Sequence, residues 1–214
     1  MKLIKQLLIA LFMLCAIPAF AEPEAGKDYI VLKPAQPTHS GDKIEVLEFF
    51  FYGCSHCFKL NPLMGAWEKN MPKDVELTYV PAIFNPTWEV SARTYYALEA
   101  LGQRKQLHDE LFNAWNNNIE LVDEASTTDF LAKHGVDRNK FGAAYNSFSM
   151  QSQVTRAKQM GQTYGIRGTP TLIVDGKYLI TGLHPAETMQ VLNALVDKAR
   201  SEHPAPAKKK GSKH

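Results

Sequence analysis

The pattern of hydrophobic and polar positions predicts a strand, a helix and a second strand near the start of the chain. Residues 44–51 are mostly apolar, which is typical of a strand covered on both faces. A helix is expected from Cys54 to about Asn70, bent at Pro62 because proline has no N–H to donate. Residues 75–81 again have the pattern of a buried strand. This order predicts a βαβ unit with a right-handed crossover.

A long helical block follows. From Trp88 to about Tyr164, apolar residues recur at helical spacing with no strand signal. Ser126 and Asp137 are predicted N-caps, because their side chains can accept from free N–H groups at a helix start. Gly102 and Gly135 are predicted helix ends.

Strand character returns at Thr171–Val174, and the Asp175-Gly176 turn predicts a two-residue hairpin leading to Lys177–Ile180. A last amphipathic helix should follow Pro185. The strands before and after the helical block must pair with each other, so the block is expected to be an insertion in one sheet domain.

These elements predict an α/β fold with a mixed sheet, flanking helices and an inserted all-helical domain. We assign 22–84 and 158–202 to the sheet domain and 85–157 to the insertion. The remaining ends of the chain, 1–21 and 203–214, have a different composition.

Residues 1–21 have the pattern of a cleaved secretory signal peptide: two early lysines, an apolar stretch too short to span a bilayer, and Ala19-Phe20-Ala21 as a cleavage pattern. A lipid anchor at Cys15 is the alternative, but the bulky Leu14 precedes it. The mature protein is therefore expected to be exported and soluble.

Charge argues against a nucleic-acid role. The chain has 24 basic and 22 acidic residues, and removing the two signal-peptide lysines leaves 24 − 2 = 22 of each. Four more lysines lie in 203–214, so 22–202 carries 22 − 4 = 18 basic against 22 acidic side chains. We predict that 203–214 is a disordered basic tail, with attraction to a membrane surface as the alternative.

The strongest chemical signal is Cys54-Ser55-His56-Cys57, two thiols one helical turn apart directly after a strand. A C-x-x-C in this position indicates a dithiol redox site. Unpaired N–H groups and the positive end of the helix dipole favour a thiolate at Cys54. The His56 imidazole is expected to lower the pKa of Cys54 further, which would make the disulfide a stronger oxidant.

Two simpler interpretations compete with the redox site. A structural disulfide between Cys54 and Cys57 would close a very small loop and restrain little of the unfolded chain. Structural zinc needs four ligands, but after cleavage only two thiols remain and the other histidines do not form ligand pairs, so no metal is expected.

Glu48 is an acid within an apolar strand, six residues before Cys54. It could point outward from a strand less covered than predicted. If buried, its pKa rises, and it could accept the proton of Cys57 when that thiol attacks a mixed disulfide. Pro170 directly precedes a strand. Proline is unusual there, because it has no backbone N–H to donate to a neighbouring strand.

Together these features resemble the DsbA-type periplasmic thiol:disulfide interchange proteins of the thioredoxin-fold superfamily. The similarity covers essentially all of residues 26–202, with the helical insertion in the place where that family has one. The residues that carry it are Val46-Leu47-Glu48-Phe49-Phe50, Cys54-Ser55-His56-Cys57, Pro62, Ile166-Arg167-Gly168-Thr169-Pro170 and Val174-Asp175-Gly176-Lys177-Tyr178.

The resemblance implies a periplasmic oxidase that donates its Cys54–Cys57 disulfide to newly exported proteins through a mixed disulfide. It implies that Cys54 is the exposed nucleophile and Cys57 its buried partner, with Pro170 a cis-proline facing the disulfide and the Thr169 backbone pairing with a substrate strand. The expected partners are unfolded exported proteins with free cysteines and a DsbB-like, quinone-linked membrane protein that reoxidises the site. No cofactor beyond the disulfide and a monomeric state are expected.

Three positions depart from the best-known members. Ser55 stands where they have proline, so the dipeptide that tunes the potential is Ser-His. Thr169 stands where many have valine. Tyr79 occupies the position that often carries a lysine beside the acid, which weakens the proton-relay role of Glu48.

Two other functions remain open on the sequence. A disulfide isomerase or reductase is one, although only a short segment precedes the first predicted strand, whereas DsbC-type isomerases carry a dimerisation domain there. A peptide-binding, chaperone-like module with a relic redox pair is the other.

Overall fold

A computed structural model describes residues 22–119 and 121–203 of the chain. The predicted signal peptide and all but the first residue of the predicted tail lie outside these ranges. The described strands are β1 (Ile30–Val31), β2 (Ile44–Phe50), β3 (Val75–Pro81), β4 (Thr171–Val174) and β5 (Tyr178–Thr181). The described helices are α1 (Ser55–Asn70), α2 (Pro86–Ala100), α3 (Arg104–Asn116), α4 (Glu124–Lys133), α5 (Arg138–Tyr145), α6 (Phe148–Thr163) and α7 (Pro185–Glu202).

The five strands form one mixed sheet in the order β1-β5-β4-β2-β3. β2 runs parallel to β3 and antiparallel to β4, and β5 is antiparallel to both β4 and β1. The strands on either side of the helical block therefore pair with each other, which confirms the predicted thioredoxin-like mixed sheet. β1 was not predicted, because a two-residue strand is too short to show a period of two.

Both faces of β2 are covered, as its apolar pattern predicted. All seven of its residues are buried. On one face Val46 packs with Leu60 of α1 and Leu192 of α7, and on the other Leu47 and Phe49 pack with residues of α6. Successive side chains alternate between these faces, so Glu48 shares the α1 face with Val46. Glu48 therefore lies on the face of the sheet that α1 covers.

Most of the predicted helix ends are confirmed, and one is wrong. Asp137 is the N-cap of α5, and Gly102 and Gly135 follow the ends of α2 and α4 with φ of +69° and +84°. The N-cap of α4 is Asp123, not Ser126. Ser126 is the third helical residue, and its hydroxyl accepts from the Asp123 N–H in a capping box, so both residues have cap chemistry but the earlier one begins the helix.

The hairpin between β4 and β5 is one residue longer than predicted. Asp175 and Gly176 have φ of 53° and 63°, and the Lys177 N–H donates to the Val174 carbonyl oxygen at 3.0 Å. Tyr178, rather than Lys177, lies opposite Val174. The prediction of a two-residue connection was therefore wrong, because turn composition does not show where the ladder resumes.

The inserted block begins with α2 and runs into α6. α6 continues without interruption from Phe148 to Thr163, so no break in secondary structure marks the boundary placed between 157 and 158. The division of the chain into 22–84 with 158–202, and 85–157, stays a prediction. Among the described helices, none is long and apolar enough to cross a bilayer.

Candidate active site

Cys54 lies at the junction of β2 and α1. The strand ends in a turn, closed by a hydrogen bond from the Cys54 N–H to the Phe51 carbonyl oxygen at 3.0 Å. Cys54 is the N-cap of α1, and its Sγ accepts from the Cys57 N–H at 3.4 Å. The sulfur therefore occupies the place where an N-cap oxygen satisfies a free helix N–H.

The surroundings of Cys54 stabilise its thiolate. Its side chain is half-buried, and its pKa is lowered from 9.0 to about 5. The largest cause is a hydrogen bond from the Cys57 side chain, which outweighs the opposing effect of burial. Hydrogen bonds from Thr169 and from the N–H groups of Cys57 and His56 lower the pKa further. Cys54 is thus the group in the site best suited to carry negative charge at neutral pH.

Cys57 has the opposite character. It is fully buried, and burial raises the pKa of its thiol far above the ordinary value, with the neighbouring charges of Cys54 and Glu48 acting in the same direction. Both cysteines are free thiols in the structure. The reduced site therefore pairs a half-exposed thiolate with a buried neutral thiol one helical turn away.

Ser55 and His56 lie on the exposed side of the motif. His56 contributes to the low pKa of Cys54 through its backbone N–H. The predicted role of its imidazole, and the tuning role of Ser55, stay predictions. The sequence already indicated that free N–H groups at the helix start would stabilise this thiolate, and the His56 N–H is one of them.

The loop before β4 faces Cys54 although it lies 115 residues further along the chain. The Thr169 carbonyl oxygen lies 3.2 Å from Cys54 Sγ and accepts from the thiol when Cys54 is protonated, and the Thr169–Pro170 peptide bond is cis. The predicted substrate-binding pair thus lies directly beside the sulfur. The same carbonyl group would be within reach of a polypeptide bound at Cys54.

Glu48 is buried rather than outward-pointing, with 2% of its surface exposed. Burial, followed by the charges of Glu68 and Cys54, raises its pKa from 4.5 to about 8. Its Oε2 atom has no hydrogen-bond partner among the described residues. A carboxyl group with these properties is mostly neutral at pH 7 and can both give and take a proton.

A charged cluster that the sequence did not predict lies next to Glu48. Tyr79 is its neighbour on β3, and the Tyr79 hydroxyl donates to Glu68 Oε2 at 3.2 Å. The buried Arg104 guanidinium lies 5.1 Å from the centroid of the Tyr79 ring and bonds Glu99 at 2.7 Å. Tyr79 therefore directs its hydroxyl to Glu68, and the positive charge nearby comes from α3 instead of β3. The family resemblance had indicated Tyr79 beside the acid, but no spacing rule connects Glu68 and Arg104 with it, so the rest of the cluster had no sequence signal.

Aromatic side chains pack tightly against the turn before Cys54. The Phe51 ring stacks on Trp88 with centroids 4.0 Å apart and lies 5.1 Å from the Trp115 ring. A Cβ atom on Gly53 would lie 2.5 Å from the Phe51 ring and 2.9 Å from Trp115. The turn that presents Cys54 therefore needs glycine at position 53.

Within residues 22–119 and 121–203, no group of three or more His, Cys, Asp or Glu side chains is placed to hold a metal ion.

The family described as "DSBA-like thioredoxin domain" matches residues 84–194. The thiol:disulfide interchange protein DsbA of Pseudomonas aeruginosa is 35% identical over 181 residues, which is 83% of this chain and 86% of the relative. A crystal structure of P. aeruginosa DsbA superposes with a TM-score of 0.81 at 35% identity, covering 84% of this chain and 96% of that one. The oxidoreductase DsbA from Xylella fastidiosa gives 0.79 at 31% identity, with 84% and 99% covered.

Proposed function

The chain belongs to the DsbA-like thioredoxin family, whose members are thiol:disulfide oxidoreductases, and from that premise we propose that it oxidises newly exported proteins by donating a Cys54–Cys57 disulfide. The observation that carries this proposal is the contrast between the two cysteines. Cys54 is half-exposed with a pKa of about 5, whereas Cys57 is buried with a raised pKa. A stabilised thiolate favours the reduced site and so makes its disulfide a good oxidant.

The exchange begins with the oxidised site. A substrate thiolate attacks Cys54 Sγ, the Cys54–Cys57 bond breaks, and a mixed disulfide joins the substrate to Cys54. The electron pair of the broken bond goes to Cys57. A second substrate thiolate then attacks the substrate's sulfur in the mixed disulfide and releases Cys54 as a thiolate. The low pKa of Cys54 makes it a good leaving group, so the substrate keeps the disulfide and the site is left reduced.

Glu48 is the proposed proton exchanger for Cys57. The departing Cys57 sulfur lies in a buried environment that opposes negative charge, and Glu48 is mostly protonated at pH 7. Glu48 can therefore supply the proton that Cys57 needs and take it back when the site is reoxidised.

Thr169 and Pro170 are the proposed substrate-binding residues. The Thr169 carbonyl lies 3.2 Å from Cys54 Sγ, so a polypeptide that pairs with this backbone brings its cysteine to the reacting sulfur. His56 and Ser55, on the exposed side of the motif, are proposed to tune the potential.

The cellular setting follows from the ends of the chain and from the chemistry. Residues 1–21 have the pattern of a signal peptide, and stable disulfides are made in oxidising compartments such as the periplasm. We place the protein there as a monomer, with the Cys54–Cys57 pair as its redox group and no other cofactor. A DsbB-like, quinone-linked membrane protein is the proposed reoxidant.

The proposal is tested by oxidation of a reduced peptide that contains two cysteines. The oxidised protein should convert the peptide to its disulfide with one equivalent per site, and Cys54→Ser should abolish this. With Cys57→Ser, a peptide carrying an activated mixed disulfide should leave a stable adduct on Cys54, because the resolving thiol is missing. Full oxidation of the peptide by Cys54→Ser would exclude the proposed nucleophile.

A further inference from the structure

Two surface cavities meet at the exposed Phe84 side chain. One, of about 410 Å³, is lined by Ile166 and Arg167, and the other, of about 640 Å³, by Arg93 and Tyr145 among others. Both are lined by Phe84 and by Lys158. Together they form a continuous depression, here named the Phe84 groove, that starts beside the Thr169 loop and runs between α2 and α6.

The Phe84 groove is connected to the redox site at its Arg167 end. Arg167 is two residues before Thr169, whose carbonyl accepts from Cys54. The Phe84 ring lies 4.8 Å from Trp88, which in turn stacks on Phe51, the residue whose carbonyl accepts from the Cys54 N–H. The Arg167 end of the groove therefore lies near the reacting sulfur, within reach of a polypeptide bound at Cys54.

The groove combines an apolar surface with positive charge. Phe84 is 48% exposed, which is high for a large aromatic side chain. Three cations, Arg93, Lys158 and Arg167, line the groove with one carboxylate, Glu89, so its formal charge is 3 − 1 = +2. Residues 22–202 as a whole carry four more acidic than basic side chains. The positive charge is therefore a local property of this surface.

We propose that the Phe84 groove binds the part of the substrate chain next to the reacting cysteine and selects segments that combine an apolar residue with an acidic one. The apolar side chain packs on Phe84, and the acidic one lies between Arg167 and Lys158. Glu89 already bonds both Arg93 and Lys158, at 3.1 and 2.7 Å. Arg167 and the solvent-facing side of Lys158 are thus the cations available to a substrate.

This inference rests on the proposed oxidase function, because it concerns how that reaction chooses its substrates. The occupant is an unfolded polypeptide rather than a second copy of the chain or a small molecule, since the groove continues from the place where the substrate's cysteine must lie. An extended chain advances about 3.3 Å per residue, so a few residues next to the cysteine are enough to reach Phe84.

The test compares peptides of equal length that carry a Leu-Glu pair or a Leu-Lys pair on one side of a reduced cysteine, each made with the pair on the N-terminal and on the C-terminal side. On one of the two sides, the acidic peptide should react with the oxidised protein about three- to tenfold faster at low salt, because each exposed ion pair changes an equilibrium by about two- to fivefold. In about 1 M salt the two rates should converge, since the screening length falls to about 3 Å.

Variants of the groove should remove this preference. Lys158→Gln and Arg167→Gln together should bring the ratio of the two rates close to one, and Phe84→Ser should slow the acidic and basic peptides alike. Lys140→Gln and Phe148→Ser, which change an exposed cation and an exposed aromatic residue outside the groove, should keep the wild-type ratio.

The possible outcomes distinguish an error in the groove proposal from an error in the oxidase proposal. If the wild-type protein does not oxidise the reduced peptide that contains two cysteines, the proposed function fails. If it oxidises the acidic and basic peptides at equal rates on both sides, or if the double variant keeps the wild-type preference, only the groove is wrong. The salt dependence is measured on the wild-type protein, so the test does not depend on any variant folding.

Discussion

Burial of Glu48 should make the protein less stable as the pH rises. The pKa of this carboxyl is about 8 in the fold and 4.5 as the reference for the unfolded chain. A raised pKa means that stability is complete below pH 4.5 and is lost as the pH rises through 8. Over this range, 8 − 4.5 = 3.5 units correspond to about 5 kcal/mol, of which about 3 kcal/mol is already lost at pH 7. Glu48→Gln should remove this loss.

The measurement is denaturant unfolding of the reduced protein between pH 5 and pH 8. Cys54 has a lowered pKa, so it adds stability as the pH rises from about 5 toward 9 and opposes the effect of Glu48. The comparison is therefore made in a Cys54→Ser background, which removes that titration. This background also removes the Cys54 charge, which is only the third cause of the raised pKa of Glu48.

In that background, the free energy of unfolding with Glu48 should fall, relative to Glu48→Gln, by about 1 kcal/mol per pH unit on average between pH 5 and pH 8, most steeply near the middle of this range. Glu110→Gln, which changes an exposed acid on α3, should show no such trend. If Glu48 and Glu48→Gln differ by the same free energy at pH 5 and pH 8, Glu48 does not titrate in this range and cannot be the proton exchanger.

The Cys54 thiolate, the turn at Gly53 and the N-cap of α4 each have a measurable effect. Thiolate absorbance of the reduced protein should rise with a midpoint near pH 5 and disappear in Cys54→Ser, whereas a midpoint near 8 or 9 would contradict the hydrogen bonds assigned to that sulfur. Gly53→Ala should lose about 1–3 kcal/mol of unfolding free energy through contact with the Phe51 and Trp115 rings, while Gly65→Ala, which meets nothing within 4 Å, should lose none. Asp123→Ala should lower the denaturation midpoint by removing the N-cap of α4, and an unchanged midpoint would show that the cap does not matter.

The sequence predicts those parts of the site that depend on neighbours along the chain. The apolar run of β2 and the start of α1 were predictable from periodicity and cap chemistry, and they bring Cys54 to a helix N-terminus. The family resemblance predicted that Thr169 and Pro170 lie beside the same sulfur. Periodicity alone could not predict this contact, because 115 residues separate Cys54 from Thr169.

The parts that were missed depend on contacts between distant elements or on very short ones. Glu68 and Arg104 approach Tyr79 from two other elements, and nothing in their spacing indicates it. β1 has two residues and can be recognised as a strand only by its pairing with β5. The sequence predicted Ser126 instead of Asp123 as the N-cap of α4. This error has a local reason, since both residues in a capping box have the chemistry of an N-cap.

The low pKa of Cys54 should make the Cys54–Cys57 disulfide an oxidant, which equilibration of the protein with glutathione redox buffers would measure as a reduction potential. Thioredoxin, with a thiolate pKa near 7, has a potential of about −270 mV. Cys54 has a pKa of about 5 but is only half-buried, so solvent screens part of the effect. We predict a potential at least several tens of mV less negative than about −270 mV, falling back in variants that raise the pKa of Cys54. A potential at or below that of thioredoxin would contradict the account.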